Sequence, residues 1–337
     1  MTPVATNPAQ PVARAWRPSS RVPWRLSWRD ARVVLAVLIV ALLAAGAALA
    51  ERFATAQNLG NVLEQSTTLG IVALGQTIVV LAGGIDLSVG AMMSLAGVLF
   101  AGHVQGDAAR LWPLLAAVVA LGAAMGAVNA ALVNRLRISP LIVTLGMASV
   151  LQGTALLLMP TPGGSLPEFA TTLTYASVLG VPTSALLLVL LFALVGLWLH
   201  HTRSGRRVYA VGSDEHAARL SGVDVFRSRS VAFMLCGALA ALAGTYLAAR
   251  TGVGDPRAGT GFELSSIVPV VIGATLLRGG RGGVLGTLLG VWLLSLLSNL
   301  LNFLGVSSHV QWIVQGVIVL VAVMLVSTGR VVRRAAP

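Results

Sequence analysis

GGIDLSVGAMMSLAG, residues 83–97, sets one carboxylate, Asp86, between two long apolar runs. Gly83 and Gly84 let the chain turn tightly just before it. No other charged side chain is close to it in sequence. What such an acid does depends on whether the flanking runs cross a membrane.

Composition answers that first. Of 337 residues, 56% are hydrophobic and only 10% are charged, with mean hydropathy +0.86. Ordinary soluble domains carry about 25% charge, and a chain this apolar cannot cover a soluble surface. A membrane protein is expected. The net charge is +12, and all 23 basic residues are arginine. Without lysine no Walker A loop and no Schiff-base catalysis are possible. The arginines sit between apolar runs rather than on one face, which fits membrane topology and not nucleic acid. The single cysteine, Cys236, lies in an apolar run and cannot pair within the chain.

Ten apolar windows are visible: about 33–50, 59–82, 87–104, 112–133, 140–159, 183–200, 230–250, 264–277, 284–304 and 310–328. The eighth is short for a crossing and reads as a broken or half-crossing segment. With the N-terminus inside and strict alternation, 19 of the 23 arginines fall in inside segments and four outside. Dropping one helix would reverse every later loop and spoil that split, so ten spans with both ends cytoplasmic are expected. Ala48-Leu49-Ala50 resembles a signal cleavage site, but about 30 residues precede that run, so the first helix is read as retained. Residues 1–32, rich in Pro and Arg, are expected to be a disordered cytoplasmic tail, with Trp24 and Trp28 at the lipid interface. Residues 33–328 are expected to form the transmembrane domain, with 201–229 a cytoplasmic loop within it, and 329–337 a second cytoplasmic tail. Gly122/Gly126 and Gly282/Gly286/Gly290 stand at GxxxG spacing, read as internal helix packing with a dimer face as the alternative.

The opening stretch has an echo. Gly84-Ile85-Asp86-Leu87-Ser88 and Gly261-Phe262-Glu263-Leu264-Ser265 are both G-[apolar]-[acid]-L-S. One precedes the third span and the other the eighth. An offset of five spans inverts the second copy, so the expected fold is an all-α polytopic membrane protein of two inverted five-helix halves, a known transporter plan. Asp86 then has two readings. It caps the third span, or both acids lie on a solute pathway.

Residues 201–229 form the longest inside loop, and within it SDEHAARLSG reads as one short helix. Ser213 is the expected N-cap, Asp214 and Glu215 suit the positive end of the helix dipole, Glu215 and Arg219 are spaced i,i+4, and Gly222 suits the C-terminus. About eight residues make a marginal helix alone, so it packs on the membrane domain, docks into a partner or is a solvated connector. His200 and His201 border the loop; adjacent positions point apart on a helix, which suits interfacial residues better than a metal pair.

GGIDLSVGAMMSLAG, NRLRISPLIVTLGMASVLQG (134–153), AVGSDEHAARLSGV (210–223) and GFELSSIVPVVIGATLLRGGRGGVLGTLLG (261–290) together resemble the permease subunits of bacterial ABC importers for ribose, xylose, arabinose and related monosaccharides, the autoinducer-2 permeases included. The resemblance covers about residues 35–328. It implies an inner-membrane subunit that pairs with a second permease copy or paralogue, with cytoplasmic ATPase subunits and a periplasmic solute-binding protein. ATP and magnesium would belong to the ATPase partner, with no cofactor in this chain. Glu215–Gly222 is similar to the coupling region of importer permeases, with one residue inserted; Ser213, Asp214, Glu215, Ala217, Ala218, Arg219 and Gly222 are the candidate ATPase-coupling residues. Candidate pathway residues, each polar within or beside an apolar run, are Asp86, Ser88, Asn129, Gln152, Glu263, Ser265 and Asn299.

The alternative is a secondary transporter driven by an ion gradient, which wants an ionisable group well inside a span. Here the acids fall at span edges. A channel lacks a filter motif, and a membrane enzyme lacks a nucleophile–base pair or a ligand-spaced metal set.

Overall fold

The computed structural model describes residues 28–307, and beyond them 309–311, 313–314 and 316–317. Most of the expected N-terminal tail, most of the tenth span and the C-terminal tail lie outside the described residues. The long helices are α1 (Trp28–Leu49), α2 (Ala56–Leu81), α3 (Val89–Val104), α4 (Ala108–Arg135) and α5 (Pro140–Leu158). After α6 (Glu168–Tyr175) and a two-stranded hairpin, β1 (Ser177–Val178) and β2 (Val181–Pro182), come α7 (Thr183–His201), α8 (Arg203–Ser213) and α9 (Glu215–Leu220). α10 (Val225–Thr251), α11 (Phe262–Ser265), α12 (Ile267–Ile272) and α13 (Val284–Phe303) complete the order.

Among the described residues six helices are long and apolar enough to cross a membrane: α1 from Arg32, α4, α5, α7, α10 and α13. α2 is as long, but its first half is polar, with Asn58, Asn61, Glu64, Gln65, Ser66, Thr67 and Thr68. α3, at 16 residues, rises only about 24 Å, and the eighth window is broken into α11 and α12 by Ser266. The molecule is thus a polytopic helical membrane protein in which two of the apolar segments are too short to cross unaided.

α10 is the hub, packed between α2, α3 and α4. Glycine makes this possible. A Cβ on Gly122 or Gly126 would fall on the α10 carbonyls of Gly237 or Phe233, and one on Gly244 would fall on the Met93 carbonyl of α3. Where lipid supplies no hydrophobic drive, such close backbone approach is what holds helices together. Gly286 and Gly290 of α13 sit in the same way on Gly273 and Pro269 beside α12, so both GxxxG sets pack internally. Gly282 lies before α13 with φ +142. At the rim, α1, α5 and α7 expose apolar faces, among them Val37, Val40, Ile142, Leu145, Leu190 and Leu197.

Candidate functional site

Two non-helical chain segments enter the bundle and meet at the start of α3. The first is 82–88. Leu81 ends α2, Gly83 turns at φ +82, and the Gly83 and Gly84 N–H groups donate to the Val80 and Val79 carbonyls. Gly84 lies against the Phe233 ring, nearly one-third of the way along α10. Non-helical backbone inside a membrane must have its polar groups satisfied by protein. Gln76 and Thr144 do this. In the amide orientation that suits both groups, Gln76 Nε2 donates to the Asp86 carbonyl (3.1 Å) and Oε1 accepts from the Asp86 N–H (3.3 Å). Thr144 Oγ1 accepts from Leu87 N–H (3.0 Å) and donates to the Pro140 carbonyl (2.9 Å).

Asp86 itself is 1% exposed. The Ser88 N–H and Oγ–H donate to its Oδ1 (2.9 and 2.5 Å), and Asn129 Nδ2 of α4 donates to Ser88 Oγ (3.0 Å). The carboxylate therefore closes an Asx turn onto Ser88, the N-cap residue of α3, without bonding the N–H groups of the helix's first turn. It stands three residues before α3, at the end of the span as the sequence suggests, and is buried beside Gln76, five residues before the end of α2.

The second segment is 252–261, after α10 ends on Gly252 at φ +78. It runs along one face of α3 made of Gly90, Ser94, Gly97 and Ala101, where backbone meets backbone at Gly259 and Gly254. Ser94 Oγ accepts from Gly259 N–H (2.9 Å), and Gln152 Nε2 of α5 donates to the Pro256 carbonyl (2.7 Å). Glu263 Oε2 accepts from Gly261 N–H (2.9 Å) and lies over Gly90, one turn from Asp86. The two echoed motifs thus converge on the start of α3 through different local bonds: Asp86 binds the residue two ahead, Glu263 the residue two behind. Ser265, half-buried on α11, follows directly. Asn299 is elsewhere, in a reciprocal amide pair with Asn58 (2.9 and 3.1 Å) that ties α13 to α2.

Sequence reasoning missed Gln76 and Thr144, whose only signal is a polar residue inside an apolar run. It also missed Glu64, which lies within the second span and pairs with Arg250 of α10 at 3.0 Å. Glu64 departs from the expectation that acids keep to span edges, and its charge is met by that arginine.

The end of the bundle that carries α8 and α9 holds the other candidate group. The segment is mostly helical rather than loop. The N-cap of α9 is Asp214, whose Oδ1 accepts from Ala217 N–H (2.9 Å). Ser213, the expected cap, instead ends α8, and its hydroxyl donates to the Gly280 carbonyl (3.3 Å). The α8–α9 junction is too tight for Ser213 to stand free. Ala218 packs into a small apolar cluster with Val211 and Val225. Gly222, at φ +77, closes the helix as expected, its N–H donating to the Arg219 carbonyl (3.0 Å). Glu215 is gripped on both oxygens, by Arg219 at 2.6 Å and by Arg229 of α10 at 2.7 Å. The Arg229 hydrogen bond, chiefly, holds the Glu215 carboxyl below its ordinary range, against a smaller desolvation effect. Leu220 at the tip is 78% exposed. Beside α9 a cleft of about 920 Å³, lined by Arg137, Glu215, His216 and Arg229 among others, reaches inward to Gly83. It joins the surface helix to the turn that positions Asp86.

A polytopic bundle with broken helices meeting in its interior and a short helix clamped at one end is the architecture of a transporter subunit. Comparison with known proteins gives the family. The model described as branched-chain amino acid transport system / permease component matches residues 58–323, and the chain belongs to that family. It is 40% identical to the ribose import permease protein of Escherichia coli (strain K12) over 295 residues, 86% of this chain and 91% of the relative. It is 40% identical to a probable ABC transporter permease protein of the same strain over 288 residues, 81% and 82% of the two chains. To the fructose import permease protein of Rhizobium meliloti it is 34% identical over 309 residues, 88% and 84%. No solved structure matches. The chain is the membrane-spanning permease subunit of an ATP-driven ABC importer, a translocation subunit and not the ATPase.

Proposed function

We propose that this permease carries a monosaccharide or closely similar polar solute across the inner membrane, through a pathway formed with a second permease copy or paralogue. Its relatives include ribose and fructose import permeases, which supports a sugar. The proposed partners are cytoplasmic ATPase subunits, which would hold ATP and magnesium, and a periplasmic solute-binding protein. The proposed topology is ten transmembrane helices in two inverted five-helix halves with both termini cytoplasmic. It is supported by the arginine distribution and by the matched entry of 82–88 and 252–261 onto α3.

One observation carries the coupling assignment: α9 is tied to α10 through the Glu215–Arg229 pair, yet Leu220 is presented outward. Closure of the ATPase subunits would push on α9, and α10, the hub, would pass that movement to α2, α3 and α4. The segments at Asp86, Ser88, Asn129, Gln152, Glu263 and Ser265 would then shift and open the pathway to one side or the other. A solute delivered by a binding protein needs no tight site here, which fits the few exposed polar groups. Asn299, locked to Asn58, acts in this reading as a helix tie.

The test is a mild-detergent pull-down of the tagged chain from native membranes, read by mass spectrometry. A Walker-A ATPase in stoichiometric amount is expected. A chain that emerges alone, and moves sugar into ATP-free vesicles on an ion gradient, would replace this reading with a secondary transporter.

A further inference from the structure

α8 carries Arg203, Arg206 and Arg207 on the face opposite its buried Gly205, Val208 and Val211. All three arginines are exposed, and none joins an ion pair among the described residues. The only side-chain contact of the three to a protein acceptor in that range is Arg206 Nη1 to the His200 carbonyl at 3.4 Å. Asp214 and Glu215, the nearest acids, lie past the other end of α8 and are engaged in capping and in the Arg219/Arg229 pair. Three like charges on one helical turn repel, so a surface that keeps them together without acids is suited to a negatively charged visitor.

Its position selects the visitor. α8 begins two residues after α7, whose last turns expose Leu194 and Leu197. Trp198 of α7 donates its indole N–H to Ser204 Oγ (2.9 Å), placing the first turn of α8 at the level of that indole. A tryptophan at the end of an apolar helix marks the headgroup plane. His200 stacks on Tyr209 at 6.0 Å between ring centres, holding α8 close to the end of α7. The N-terminal end of the α8 dipole adds positive potential at the same place.

We propose that Arg203, Arg206 and Arg207 form an anionic-phospholipid site, in which the headgroup phosphate is held by the arginines and the acyl chains lie along the exposed face of α7. Juxtamembrane arginines of this kind each strengthen binding to anionic lipid by about 1 kcal/mol, a factor of about five. The site is separate from α9 and holds whichever solute is carried.

The full chain, purified in mild detergent, would be titrated with phosphatidylglycerol or phosphatidylcholine of matched chains and read by native mass spectrometry. The wild-type chain should retain phosphatidylglycerol in preference. The triple Arg203→Gln/Arg206→Gln/Arg207→Gln variant should lose that preference by about two orders of magnitude, at a factor of five per arginine. The triple Arg→Lys variant, which keeps charge, should retain most of it, separating charge from a folding defect. Arg52→Gln/Arg257→Gln, at the opposite end, should leave it unchanged. Equal retention by wild type and the Gln variant overturns the proposal, as does the absence of any preference in wild type. Unchanged lipid retention with loss of the co-purifying ATPase would assign the patch to that partner instead, and equally overturns it.

Discussion

Asp86 is held through one oxygen by two donors of a single residue, Ser88, and this makes its role separable by substitution. Asp86→Asn keeps an acceptor there and removes the charge. It should fold and transport nearly as well as wild type. Asp86→Leu leaves the buried Ser88 N–H without a partner, at a cost of about 1–3 kcal/mol, visible as a lower melting temperature in detergent and reduced uptake. Equal loss of uptake in both, with normal melting of the Asn variant, would assign the charge to the pathway instead. Glu215 allows a pH test. Arg229 holds its folded pKa below the ordinary 4.5. The pairing therefore contributes fully above about pH 4.5 and is lost as pH falls through the lower folded value. The protection factors of the α9 amides, corrected for the intrinsic pH dependence of exchange, should stay high above that range and fall below it; protection factors that do not change with pH would show that α9 is held by Val211, Ala218 and Val225 alone. Glu215→Lys places two arginines beside a new cation and should abolish ATP-coupled uptake while insertion remains normal.

The elements are joined by glycine contacts in the centre and by side-chain bonds to non-helical backbone at the segment entries. Gly126→Ala puts a methyl group onto the Phe233 carbonyl, so α4 and α10 must separate, costing about 1–3 kcal/mol. Gly153→Ala on α5 meets nothing within 4 Å and should leave the melting temperature unchanged. If the two variants melt alike, the α4–α10 contact is not what holds the bundle. Gln76→Leu removes the partner of both backbone groups of Asp86. In a membrane interior each unsatisfied group costs several kcal/mol, so this variant should be lost at the level of insertion or be degraded. The GxxxG spacings were readable as packing sites from sequence. Their partners, the carbonyls of Gly237 and Phe233 and those beside α12, were not, because a spacing defines a face and not what lies across from it.

At the scale of the whole molecule, α6 and the hairpin lie at the Arg250 end of α10, and α9 at the Arg229 end. Leu179, at the hairpin tip, is 99% exposed, and Leu220 is 78% exposed. Because the native Cys236 is fully buried, single Leu179→Cys and Leu220→Cys variants report cleanly. An impermeant maleimide added outside intact spheroplasts should label the first and spare the second; labelling of both from outside would overturn the proposed topology. Hydropathy and arginine placement determined by themselves that this chain lives in a membrane and where most of its helices begin and end, and four motif blocks carried the resemblance to its family. These are local or additive properties, carried by runs of apolar side chains and by short motifs. Tertiary structure alone decided that Asp86 is buried beside Gln76 of α2, that Glu263 lies over Gly90 at the start of α3, that Asp214 rather than Ser213 caps α9, and that Glu64 is neutralised by Arg250. Each of those depends on which segments, tens to hundreds of residues apart, supply the missing hydrogen-bond or charge partner, and that pairing is set by packing, which no local pattern encodes.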